Sequence, residues 1–160
     1  MTKAIEYLKE KEIGDFLIRP SSLSEDILTL SWKFYNNSIM HVNIKEENKM
    51  KGNTVGQTLL IGKEDYQNFE EIETWFIKPC ARKVLETKNH PKFLEVNSIN
   101  DLEEKLKEEQ LNNPTYIPYK FTILPEFAGF IILGYMTPTK KFIKEYIKIK
   151  PLGFSFHEIT

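Results

Sequence analysis

The feature that most constrains the fold is a pair of alternating segments joined by a short turn. Residues 28–34 are apolar at every second position, and in residues 39–44 an apolar face opposes His41 and Asn43. Such alternation predicts half-buried β-strands. Because only the turn at residues 36–38 separates the segments, they must be antiparallel neighbours. The sequence therefore predicts an antiparallel sheet.

Helices and further strands surround this hairpin. Apolar residues at helical spacing predict helices at Ala4–Leu8, at residues 66–76 until Pro79 ends or restarts the helix, and at residues 80–87. A capping box at Ser98 opens another helix that ends near residue 112. Further strands are predicted at residues 16–19, 59–61, 119–124, 129–134 and 146–150. We expect the large aromatic residues to lie in the core, namely Trp32, Trp75, Phe76, Phe130 and Tyr135.

The order of elements repeats, which predicts an α+β fold of two units. Each unit has a central antiparallel sheet flanked by helices, and a helical linker joins them. The predicted boundaries are residues 1–78, 79–97 for the linker, and 98–160. Setting Gly14 on Gly129 places Gly134 at the position of Arg19, so the second unit lacks that arginine.

Composition narrows the class of protein. No run of 18 or more apolar residues and no signal-peptide pattern is present, and Cys80 has no second cysteine to pair with. We therefore expect a soluble protein made inside the cell. Since no catalytic or nucleotide-binding motif occurs, we expect a binding module with no enzyme activity, no cofactor and no metal.

Arg19 is the strongest candidate for a binding residue. It ends the apolar strand at residues 16–19 and is one of two arginines among 22 basic residues. A guanidinium beside a core needs an anionic partner, and its planar fork can bind two oxygens of one phosphate. Ser21 and Ser22 follow in a turn. The alternative is an internal ion pair of Arg19 with Asp26 or Glu46.

The C-terminal part carries excess positive charge. Residues 119–160 hold six lysines against three glutamates, a balance of +3, although the net charge of the chain is −1. Lys140, Lys141, Lys144 and Lys148 form a second candidate anion site of point charges. Two other readings stay open: these lysines only keep the sheet surface soluble, or the second unit binds nucleic acid.

Several segments together resemble a known family. A helix, then Gly14 to Ser21 with its Phe-Leu-Ile-Arg strand, then a strand bearing His41 and a helix around Phe69, resemble the Src-homology-two domain. Further matches are residues 28–33, 56–61, 89–93, 117–119 and 130–135. In this order they resemble the tandem Src-homology-two region of the suppressor-of-Ty-six family of transcription elongation factors and histone chaperones, over nearly the whole chain.

The resemblance implies roles for named residues. Arg19 makes the bidentate phosphate contact, Ser21 and Ser22 donate hydrogen bonds from the phosphate loop, and Thr29 and His41 line the same pocket. Asn43 stands where phosphotyrosine-binding members usually carry a basic residue, which makes phosphoserine or phosphothreonine plausible ligands beside phosphotyrosine. The second unit is degenerate, as in the family, and incomplete at its C-terminus.

The resemblance also implies a partner and a location. The expected ligand is the phosphorylated C-terminal region, or the adjoining segment, of the largest subunit of RNA polymerase II. The expected location is the nucleus, with no membrane attachment.

Overall fold

The alternating segments form the centre of a five-stranded antiparallel sheet in the order β1-β2-β3-β4-β5. A computed structural model describes residues 2–50 and 55–157. The strands of this sheet are β1 (Phe16–Pro20), β2 (Ile27–Tyr35), β3 (Ser38–Glu47), β4 (Thr58–Ile61) and β5 (Glu64–Tyr66). The predicted hairpin is therefore confirmed as β2 and β3.

The two faces of this sheet differ in polarity. Arg19 lies opposite Thr29, Thr29 lies opposite Asn43, and Ser31 lies opposite His41. Directly opposed residues of antiparallel strands project from the same face, so these five side chains share one face. Residues of the other face and of the flanking helices form the core of this unit; the largest fully buried ones include Leu8, Leu30, Trp32, Ile44, Leu59, Ile72 and Ile77.

Helices flank the first sheet, and one of them changes type before a proline. The helices are α1 (Thr2–Lys9), α2 (Phe69–Ile72), a π-helical segment (Glu73–Ile77) and α3 (Lys78–Lys88). Asn68 caps α2 by accepting from the Glu71 amide at 2.9 Å. Pro79 was expected to end or restart the helix, and the helix instead runs through it. The wider π-helical turn precedes Pro79, where an α-helical turn would meet the proline ring.

The second sheet has four antiparallel strands in the order β6-β7-β8-β9. Its elements are α4 (Ile99–Asn112), β6 (Tyr119–Thr122), a 3₁₀ turn (Pro125–Phe127), β7 (Phe130–Met136), β8 (Phe142–Lys150) and β9 (Gly153–His157). Ser98 caps α4 by accepting from the Asp101 amide at 3.1 Å, which confirms the capping box. The core contains Leu102, Leu106, Leu124, Ile132 and Met136.

The chain divides into two units, Met1–Ala81 and Arg82–Thr160, and each has an antiparallel sheet with helices. The expected α+β class is confirmed. β5 and β9 were not predicted, since residue 66 was placed in a helix and no strand was assigned after residue 150. Trp75 was expected in the core, but 65% of its surface is exposed, so that expectation was wrong. None of the helices within the described ranges is long and apolar enough to cross a membrane.

Candidate functional site

Arg19 lies on β1, at the edge of the first sheet, and faces the polar row formed by Thr29 and Asn43. The same face carries Lys33, a buried residue (6% exposed) whose ammonium donates to the Lys9 carbonyl at 2.7 Å. This bond holds the C-terminal end of α1 against the polar face. The site is thus bounded by the sheet and by α1.

Arg19 has an unfilled hydrogen-bonding requirement. Its Nε is buried and has no hydrogen-bond partner among the described residues. The ion pairs found in residues 2–50 and 55–157 do not include Arg19 either. A buried donor left without a partner costs about 1–3 kcal/mol. Binding of an anion to this nitrogen should therefore be more favourable in free energy than binding to a solvated arginine.

The two carboxylates considered as internal partners of Arg19 are engaged elsewhere. Glu46 is 4% exposed and accepts from Lys49 Nζ and from the Gly56 amide, both at 3.0 Å. Asp26 accepts from the Ser24 hydroxyl, and this hydrogen bond lowers the pKa of the Asp26 carboxyl below its ordinary value. The alternative of an internal ion pair is therefore wrong for the described residues.

The turn after β1 is ordered by its own backbone. The Ser21 amide donates to the Ile27 carbonyl at 3.0 Å, and the Leu23 amide donates to Ser21 Oγ at 3.1 Å. Because Ser21 Oγ is an acceptor in that bond, its hydroxyl proton can still be donated. Ser22 is exposed at the tip. The turn can therefore offer hydroxyl donors within two or three residues of Arg19.

His41 pairs with Ser31, which is two residues along β2 from Thr29. It therefore lies on the same face as Arg19. Its Nδ1 is 2.7 Å from Ser31 Oγ. Burial lowers the pKa of His41, and the positive charge of Arg19 lowers it further. The ring is consequently kept neutral over a wider pH range than in a free peptide. Ser31, which is fully buried, is a site residue that the sequence reasoning did not identify.

The four lysines proposed for a second site are exposed. Lys140 lies in the turn between β7 and β8 with a φ of 62°, and Lys141 directly precedes β8. Lys144 lies opposite Gly134 and Lys148 lies opposite Phe130, so both project from one face of β8.

Strand order changes the comparison between the two units. Gly134 lies on β7, the second strand of its sheet, whereas Arg19 lies on the edge strand β1, so the alignment that placed Gly134 at Arg19 does not agree with the strand order. Lys120 lies opposite Gly134 and is a cation on β6, the edge strand of the second sheet. A Cβ at position 134 would lie 2.8 Å from Leu102 Cδ2, so glycine lets β7 approach α4 closely.

No group of three or more potential ligands that could hold a metal occurs in the described part of the chain. The groups that the site does present are hydrogen-bond donors and positive charge. Donors of this kind, one of them buried and unpaired, fit an anion such as a phosphate group.

Comparisons with known proteins agree with this geometry. The SH2 domain family model SH2_2 matches residues 1–160. The chain is 31% identical over 160 residues to transcription elongation factor SPT6 of Drosophila melanogaster, covering 96% of this chain and 9% of that protein. It is also 31% identical over 161 residues to the SPT6 homolog of Arabidopsis thaliana, covering 98% of this chain and 10% of that protein. The chain thus spans about a tenth of the length of these relatives.

Solved structures show the same fold. A structure described as a tandem SH2 domain in transcription elongation factor Spt6 that binds the phosphorylated RNA polymerase II C-terminal repeat domain matches with a TM-score of 0.89. It is 25% identical, and the match covers 99% of this chain and 81% of the other. The tandem SH2 domains of Antonospora locustae Spt6 match with a TM-score of 0.74 at 22% identity, which supports the fold alone.

Proposed function

Because this chain belongs to the SH2 domain family, we propose that its first unit binds a phosphorylated segment of another protein through Arg19. The observation that carries the proposal is the buried Arg19 Nε without a partner. Its neighbours on the sheet face, Thr29 and His41, and the hydroxyls of Ser21 and Ser22 supply further hydrogen bonds. The protein acts as a binding module and not as an enzyme.

The proposed partner is the phosphorylated largest subunit of RNA polymerase II, in its C-terminal repeat region or the adjoining segment. Support comes from the Spt6 structure, which is described as binding the phosphorylated repeat domain. On this proposal the chain is the part of a nuclear transcription elongation factor and histone chaperone that recruits the factor to the polymerase.

The residue beside the pocket bears on which phosphorylated residue is bound. Asn43 lies opposite Thr29, on the face that carries Arg19, and it is exposed. Asn43 places a neutral amide at this position. A basic residue there would favour a phosphorylated aromatic ring, that is, phosphotyrosine. We propose that phosphothreonine and phosphoserine are accepted as well as phosphotyrosine.

We propose that the second unit is a degenerate SH2 domain that adds to the ligand binding of the first. The proposed boundaries are residues 1–78 and 98–160, with 79–97 as a helical linker that includes most of α3. Lys140, Lys141, Lys144 and Lys148 offer a weaker anion site on this second domain. When two linked sites bind one ligand, binding at the first raises the effective concentration of the ligand at the second. A tandem arrangement can therefore bind more tightly than either site alone.

The decisive experiment compares the two arginines of the chain. Arg19→Ala removes the phosphate contact, whereas Arg82→Ala removes an exposed guanidinium with the same loss of charge. Calorimetry with phosphorylated and unphosphorylated polymerase peptides should show at least about tenfold weaker binding for Arg19→Ala, since hydrogen bonds to charged groups contribute roughly 1.5–3 kcal/mol. Arg82→Ala should bind like the wild type. Equal binding of phosphorylated and unphosphorylated peptides would refute the proposal.

Nucleic-acid binding is the second candidate, because Lys144 and Lys148 project from one face of β8 and are exposed. It predicts an affinity for RNA or DNA that falls steeply with salt and is unchanged in Arg19→Ala. Titration of a single-stranded oligonucleotide at two salt concentrations tests this function. A weak affinity that does not respond to salt would exclude it.

A further inference from the structure

We propose that Ser31 is a positioning residue that holds the imidazole of His41 with its proton on Nε2, so that the ring donates a hydrogen bond to the bound phosphate. The role at the phosphate rests on the proposed function. The position of the proton in the free protein does not, because it follows from contacts within the sheet.

The first step is the geometry of the pair. Ser31 on β2 lies directly opposite His41 on β3, and Ser31 Oγ is 2.7 Å from His41 Nδ1. Ser31 is 0% exposed, whereas His41 is exposed. The hydrogen bond therefore fixes the ring at its buried edge and leaves the other nitrogen on the side open to a ligand.

The second step is the direction of the hydrogen bond. In the described part of the chain, His41 Nδ1 is the only hydrogen-bond partner of Ser31 Oγ. A buried hydroxyl proton without an acceptor is unfavourable. The Ser31 hydroxyl must therefore donate, and Nδ1 must accept. A neutral imidazole that accepts at Nδ1 carries its proton on Nε2.

The third step concerns the phosphate. His41 projects from the face that carries Arg19 and Thr29, so an anion bound by Arg19 lies beside the exposed edge of the ring. A proton on Nε2 presents a donor to that anion. The opposite tautomer would present a lone pair and repel it. When the ring is protonated, Nε2 is a donor in any case. The bond to Ser31 therefore matters for the neutral ring, in which it places the single proton on Nε2.

The test in the free protein uses ¹⁵N-labelled histidine. In the wild type at neutral pH, long-range proton–nitrogen spectra should show an unprotonated Nδ1 and a protonated Nε2 for His41. Ser31→Ala should give averaged shifts from a mixture of tautomers, and Ser31→Cys, which keeps the volume but is a poor donor, should lie between the two. A wild-type ring protonated at Nδ1, or spectra unchanged in Ser31→Ala, would overturn the inference.

Binding provides a second readout. Ser31→Ala should weaken phosphopeptide binding by up to about tenfold, the effect of one hydrogen bond, and should have no further effect in a His41→Ala background. Additive losses would show that Ser31 does not act through His41. Thr122→Val is the matched control, because it removes a buried hydroxyl of the second unit that has no hydrogen-bond partner within residues 2–50 and 55–157. If the wild type binds no phosphopeptide while the tautomer is as expected, the proposed function fails and the assignment of the proton stands.

Discussion

Lys120 of β6 forms an ion pair with Glu109 of α4, with 3.7 Å between Lys120 Nζ and the Glu109 carboxylate. Lys120 lies on the edge strand of the second sheet, as Arg19 lies on the edge strand of the first. The two units therefore differ in the state of their strand cation. In the first unit it has no ionic partner among the described residues, and in the second it has an internal carboxylate.

We expect Glu109→Gln to strengthen anion binding at the second unit. The change removes the negative charge that pairs with Lys120, so the net charge rises by one. This should improve the affinity for inorganic phosphate by a few-fold, about what one partly exposed charge contributes. NMR titration in an Arg19→Ala background would follow the Lys120 amide. The control is Glu103→Gln, which makes the same charge change at another ion pair of α4, with Lys107 at 2.7 Å. An equal gain in both variants would show a general charge effect only.

We expect the stability of the protein to fall at mildly acidic pH because of His41. Its pKa is lowered in the folded state, so between that pKa and the ordinary value of 6.5 the unfolded chain binds more protons than the folded protein. The stability associated with the neutral ring is complete above pH 6.5 and is lost as the pH falls through this window.

Urea unfolding of wild type and His41→Gln at pH 7.5 and pH 5 would measure this effect. The wild type should lose more stability than the variant between the two pH values. In Arg19→Ala the loss should be smaller, because the guanidinium contributes to the lowered pKa of His41. Identical pH dependence in wild type and His41→Gln would contradict the prediction.

We expect Glu46→Ala to destabilise the first unit. Glu46 connects Lys49 and the Gly56 amide, and Lys49 also donates to the Glu25 carbonyl at 2.9 Å. Removing the buried carboxylate leaves the Gly56 amide without its acceptor and takes away one of the two acceptors of the Lys49 ammonium, at about 1–3 kcal/mol of unfolding free energy. Denaturant unfolding would measure it. Glu47→Ala is the control, since the Glu47 side chain is 45% exposed and its carboxylate lies 4.0 Å from Lys45 Nζ, and it should change stability by less than about 0.5 kcal/mol.

We expect Gly134→Ala to destabilise the second unit through overpacking. The new Cβ would lie 2.8 Å from Leu102 Cδ2 and 3.1 Å from Phe142 Cε2, in a core that is already filled. The cost should be about 1–3 kcal/mol of unfolding free energy. Combining the change with Leu102→Val, which withdraws part of the obstructing side chain, should restore some of this loss. A Gly134→Ala protein as stable as the wild type would show that Leu102 can move aside freely.

The sequence predicted strands β1 to β4 of the first unit, but neither β5 nor the partner of His41. In the structure Tyr35 pairs with Ser38 across a two-residue turn, and uniform pairing from there would set His41 opposite Trp32, which would place a polar and a core residue on one face. The register instead shifts between Lys33 and Tyr35, and this irregularity brings Ser31 opposite His41. A shift of one residue exchanges the faces of a strand, and alternation alone does not reveal where it occurs.

Arg19 is a candidate from the sequence because a guanidinium at the end of an apolar strand is unusual in itself, and its binding role stays a prediction. Trp75 and Lys120 show where such reasoning stops. Trp75 has helical spacing with buried residues, yet it follows the start of the π-helical segment and is exposed. Lys120 looks like any other lysine in the sequence. Its ion pair depends on how α4 packs on the second sheet, and no local pattern encodes that contact.

The unpartnered Nε of Arg19 also has a consequence for handling the protein. Any small oxyanion that binds the folded chain and not the unfolded chain shifts the unfolding equilibrium towards the folded state. If Arg19 binds phosphate as proposed, we expect sulfate or phosphate buffers to raise the apparent melting temperature and, by occupying the same nitrogen, to lower the apparent affinity for a phosphorylated ligand.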